Sequence, residues 1–170
     1  MTGKGLPWPW IGAGALILLG IPAMLNKPRG LRNHNPMNVE DLGTGEKWDG
    51  QISVDTAGGR AFAVFGDTNG QPADFWGLRA GGHNYLTYQR EHGLYTLRGI
   101  INRATPPEDG NNTTAYLANV SAAVGLDPDQ TIFLAPNRQL LAEIMKAVVV
   151  EEQGHNPFGD DLVLQAAQAA

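Results

Sequence analysis

Residues 138–158, RQLLAEIMKAVVVEEQGHNPF, most narrow what this chain can fold into. At about 100° per residue, Leu140, Leu141, Ile144, Met145, Val148 and Val149 gather on one side of a helix. Gly154 and Pro157 supply the stop signal. Two acids occupy the last turn. Glu152 shares the apolar stripe with Leu141, Met145 and Val148, whereas Glu151 falls nearer its edge. Helix C-termini disfavour negative charge, and burial disfavours any charge, so both effects raise a carboxyl pKa. An acid that keeps its proton near neutral pH is what a general acid must be. The competing reading is a surface glutamate at a frayed helix end.

The rest of the chain limits the choices further. At 170 residues it suits one domain with an appendage. It has no cysteine, which excludes disulfides, thiol nucleophiles and thiolate metal sites. The net charge is −5, and all 17 acidic residues fall after position 28. Such a balance gives no reason to expect nucleic acid as a partner. The 22 glycines and 11 prolines favour many turns between short elements over a long-helix bundle.

Residues 6–25, LPWPWIGAGALILLGIPAML, form 20 positions without a charge, about the length that crosses a hydrocarbon core. Trp8 and Trp10 sit at one end as interfacial aromatics do, and Lys27, Arg29 and Arg32 follow the other. A secretory signal competes, but its start carries only Lys4 and no small-x-small cleavage pattern follows. A buried core helix is the third option, and no polar outer face marks one. The pattern predicts a single transmembrane anchor over residues 1–27 and a globular part over 28–170.

Within the globular part, Asn33, Asn35, Pro36 and Asn38 favour turns. The stretch around Trp48, Ile52 and Val54, then Gly58-Gly59, then residues 60–65, predicts two short strands and a glycine turn. Pro72 opens a helix to about Glu91, with Phe75, Leu78, Tyr85 and Leu86 inward. Thr96 caps the next, Asn112 or Thr113 starts a third, and Asn137 caps the terminal one. Residues after Gly159 add a weak last helix. The expectation is α+β: mostly helical, with a small β-hairpin.

Other constellations carry little chemistry. His34, His83, His92 and His155 show no metal-ligand spacing, so neither a metal nor another cofactor is expected. Gly58-Gly59 and Gly81-Gly82 lead into no Lys-Ser/Thr pair of a phosphate loop. Ser53 and Ser121 lie in no nucleophile elbow.

Taken in order, the run Arg29-Gly30-Leu31-Arg32-Asn33-His34-Asn35-Pro36-Met37-Asn38-Val39 resembles the RGIRNNNPGNI pattern of small phage and prophage proteins known as structural, or virion, proteins. The likeness continues through Trp48-x-Gly50, Asp55, Phe62, Phe65 and Gly77-Leu78-Arg79-Ala80. Its most specific part is residues 93–103, GLYTLRGIINR, followed by Pro106-Pro107, Asn112-Thr113 and Ala115-Tyr116. It ends at Glu152-Gln153-Gly154, where the pattern has Glu-Asn-Gly. Met37 replaces a glycine, Ala104 stands where Trp is frequent, and residues 108–112 are reshaped. A second likeness is to lysozyme-like muralytic enzymes, lytic transglycosylases and glucosaminidases among them. There a helix ends in a catalytic Glu, and an Asn-rich turn, a Trp-x-Gly element and a hairpin follow. Here the helix comes last and the Asn-Pro turn first, as in a circular permutation.

The resemblance implies a lysozyme-like domain in which Glu152 protonates the leaving oxygen of a β-1,4 glycosidic bond. Asn35, Asn38 and Tyr116 would hydrogen-bond acetamido groups, and Trp48 would offer a face to a sugar ring. Core packing is the competing role for Trp48, and a self-capped turn for the asparagines. A second carboxylate, if used, would come from Glu40, Asp55 or Asp67. Lytic transglycosylases need none, because the substrate's N-acetyl group and C6 hydroxyl complete the reaction. The implied partners are peptidoglycan, a lipid bilayer and other virion proteins, with single-pass placement in a virion membrane or the host inner membrane. The implied role is host cell-wall penetration. A non-catalytic structural virion membrane protein is the alternative, and a membrane-tethered endolysin acting at lysis the third.

Overall fold

A computed structural model describes residues 27–41 and 43–170. The 20-residue apolar stretch at 6–25 lies outside them. Among the described residues, no helix is long and apolar enough to cross a membrane.

The element order is α1 (Arg29–Arg32), β1 (Gln51–Asp55), β2 (Phe62–Phe65), α2 (Ala73–His92), α3 (Leu97–Ala104), α4 (Thr113–Val124), α5 (Arg138–Gln153) and α6 (Asp160–Ala169). This is the α+β class: helices around one small antiparallel hairpin. The strands pair with Asp55 opposite Phe62 and Gln51 opposite Phe65, and an irregularity falls between Gln51 and Ser53. Ala63 and Phe65 point into the core, while Ile52 and Val54 stay exposed. One turn of helix, α1, directly precedes the asparagine-rich turns. Its short length leaves Asn33 as its C-cap.

Side chains close the helix ends largely where the sequence places them. Thr96 Oγ1 accepts from the Gly99 amide (3.1 Å), Asn112 Oδ1 from Ala115 (3.2 Å) and Asn137 Oδ1 from Leu140 (3.0 Å). Each satisfies an amide that has no partner inside its helix. At α2 the distant Asp67 does this work, accepting from the Ala73 amide at 2.7 Å. Gly93, at φ 65°, ends α2 in the left-handed conformation that costs glycine least.

α5 is the centre of the core. Leu141, Ile144, Met145, Val148 and Val149 are fully buried. α6 packs across both α2 and α5, burying Val163, Ala166 and Ala167. Glycines let the asparagine-proline loop approach α2. A Cβ at Gly77 would strike the His34 carbonyl, and one at Gly81 the Met37 side chain. On the other side Gln153, the last residue of α5, donates from Nε2 to the Pro36 carbonyl at 2.9 Å. A Cβ at Gly30 would collide with that same Gln153 amide. The beginning of the domain is thereby held against the end of α5.

Candidate active site

A cleft of about 600 Å³ opens between the Asn-Pro loop and hairpin, α2, the α3–α4 connection and α4, with Glu152 among its lining residues. The apolar stripe of α5 carries Glu152 inward, one turn beyond Val148. Tyr116, on the inward side of α4, donates its hydroxyl to Glu152 Oε1 at 2.9 Å. Asn38 donates from Nδ2 to Oε2 at 2.5 Å. Asn38 holds a positive φ of 50°, a backbone state that asparagine tolerates better than most side chains.

Burial raises the Glu152 carboxyl pKa above its ordinary 4.5. The Tyr116 and Asn38 hydrogen bonds pull the other way, as does the Arg60 charge, while the Glu151 charge adds to the rise. Desolvation wins because water is scarce on that side of the helix. Burial also drives the Tyr116 phenol far above 10, so it remains a neutral donor. Glu151, its neighbour, turns outward and takes a 3.3 Å hydrogen bond from Asn119.

The five residues singled out from the sequence are placed differently. Asn38, Trp48, Tyr116 and Glu152 line the cleft. Asn35 is not among its lining residues. Its Nδ2 donates to the Val39 and Ala63 carbonyls, both at 2.8 Å, and its Oδ1 accepts from the Val39 amide at 2.8 Å. That side chain is spent on fastening the loop to β2. Trp48 is half-buried; its indole donates to the Glu40 carbonyl at 3.2 Å and its ring meets His83 edge-on.

Of the three further carboxylates, only Glu40 lines the cleft, and Arg60 holds it through a 2.6 Å bond from Nε. Arg60 also reaches Asp109 at 3.4 Å, linking the hairpin to the α3–α4 connection. Asp55 is fixed outside the cleft by Arg29 (2.8 Å) and Asn33 (2.9 Å), which hold its carboxyl well below 3.8. Asp67 caps α2. Among the described residues, no group of three or more His, Asp or Glu could hold a metal.

Sequence reasoning passed over Arg60, Asn84, Tyr85 and Asp109, all of which line the cleft. Tyr85 falls on the inward face of α2 and so reads as core; only its hydroxyl, polar on an apolar face, hints at more.

An α+β domain with a half-buried acid at the edge of an open cleft is the class that fold and site define. No family model matches the chain. It is 31% identical over 151 residues to "Protein P5" of Pseudoalteromonas phage PM2, the match covering 88% of this chain and 86% of that protein. The chain belongs to the family of that phage protein.

Proposed function

We propose that this chain is a virion protein, anchored by residues 6–25 in the virion membrane or the host inner membrane. Its lysozyme-like globular part cleaves the β-1,4 bonds of peptidoglycan during penetration of the host cell wall. The observation that carries this reading is the Glu152 carboxyl, half-buried at the cleft with its pKa raised and both oxygens held by Asn38 and Tyr116.

Cleavage begins as Glu152 gives its proton to the leaving oxygen and the bond from that oxygen to C1 breaks. The substrate's acetamido oxygen closes on C1 in its place. The C6 hydroxyl then attacks C1, displaces the acetamido oxygen and returns its proton to Glu152. That route asks for one acid and no second carboxylate. Glu40, the other glutamate in the cleft, is already paired with Arg60. Trp48 supports the route by offering an apolar face to a sugar ring.

One observation favours a second reading, a structural virion membrane protein without catalysis. Both Glu152 oxygens are already bonded, and a carboxyl tied to two other elements also serves as a cross-link. A murein zymogram of the full chain separates the two. Clearing by the unaltered protein and by Glu151→Gln, but not by Glu152→Gln, is the outcome expected of an enzyme. No clearing by the unaltered protein leaves the structural reading.

A further inference from the structure

Tyr85 is 4% exposed, yet it lines the cleft and its hydroxyl has no hydrogen-bond partner among the described residues. The hydroxyl of Tyr116, which lines the same cleft, is committed to Glu152. An unengaged phenol on the wall of an open cleft is free to bond whatever occupies that cleft. The Tyr85 ring is fixed by packing, with the Tyr88 ring 6.0 Å away, so the hydroxyl is held in place before any ligand arrives.

We infer that Tyr85 is a ligand-positioning residue whose hydroxyl donates a hydrogen bond to the acetamido carbonyl of an N-acetyl amino sugar bound beside Glu152. The inference rests on the reading of the cleft as a saccharide site, and adds to it the group that selects acetylated sugars. Burial first, then the Glu152 charge, keep the phenol protonated, so it acts as a donor and needs an acceptor. An amide carbonyl accepts more strongly than the ring ethers and hydroxyls of a plain glucan. A carbonyl held there is also restrained near the bond that Glu152 protonates.

The test compares binding of chitotetraose and cellotetraose, which share a β-1,4 backbone and differ in the acetamido group. The full chain carrying Glu152→Gln keeps both ligands intact. Expected is a preference of about tenfold for chitotetraose, the worth of one neutral hydrogen bond, and its disappearance when Tyr85→Phe is added. The melting temperature should stay the same, because the hydroxyl bonds nothing in the free protein. A preference retained in the Tyr85→Phe protein overturns the assignment of Tyr85 while leaving the saccharide site standing. Equal weakening of both sugars, or a lowered melting temperature, overturns it in favour of a packing role. Absence of binding to either sugar overturns the saccharide reading itself.

Discussion

Glu152 and Asp55 are both carboxylates held by hydrogen bonds, yet burial separates their behaviour. Glu152 loses water and is pushed up; Asp55 stays near solvent beside Arg29 and is pulled down. The linkage signs are therefore opposite. Glu152 favours the folded state fully below its unfolded pKa, and that contribution is lost as pH rises through the folded value. Glu152→Gln should accordingly melt above the unaltered protein, by a margin that widens from about pH 4 to pH 7. Asp55 contributes above its unfolded pKa and loses that contribution as pH falls through the folded one. Asp55→Asn should melt lower at neutral pH, with the deficit shrinking as the solution is acidified. Melting curves across that range check the first, and curves carried below the ordinary 3.8 of Asp55 check the second. Asn35→Ala removes three buried hydrogen bonds and strands the Val39 amide, costing roughly 3 kcal/mol in denaturant titration. Glu152 was legible because its spacing places it on the apolar stripe. The closed hydrogen bonding of Asn35 was not, since its partners include Ala63, 28 residues away.

At the scale of elements, helix propensity and packing disagree over the α2 glycines. Alanine at an exposed mid-helix glycine stabilises by about 1 kcal/mol. At Gly77 the new Cβ would strike a backbone carbonyl, that of His34, which cannot swing aside without moving the loop. At Gly81 it meets the unbranched side chain of Met37, which can adopt another rotamer. Gly77→Ala should destabilise by roughly 2–4 kcal/mol and Gly81→Ala by clearly less, read as shifts in denaturant midpoint. Periodicity and capping residues disclose the helices, because those signals are local: Thr96, Asn112 and Asn137 act on amides three positions on. The glycines read as weak points in a helix, because the loop they admit lies some 40 residues earlier in the chain. Asp67 as the cap of α2 was hidden for a similar reason, its six-residue reach crossing a turn.

Taken as a whole, the described residues gather the Asn-Pro loop, α4 and the end of α5 around one acid. Gln153 ties α5 to Pro36, Gly30 leaves room for that contact, and Asn38 and Tyr116 close on Glu152 from separate elements. The sequence did not show that Tyr85 and Arg60 share the cleft, because their approach depends on how α2 and the hairpin pack. Residues 6–25 predict a further property of the full chain: it should float with phospholipid vesicles, whereas a chain lacking them should stay at the bottom of the gradient. The central claim, that burial in this assembly raises the Glu152 carboxyl above its ordinary range, is tested most directly by a ¹³C NMR titration of the glutamate side-chain carboxyls, with Glu152→Gln to assign the resonance. The account predicts that the Glu152 resonance titrates above its ordinary midpoint of 4.5. A midpoint at or below 4.5 would contradict it.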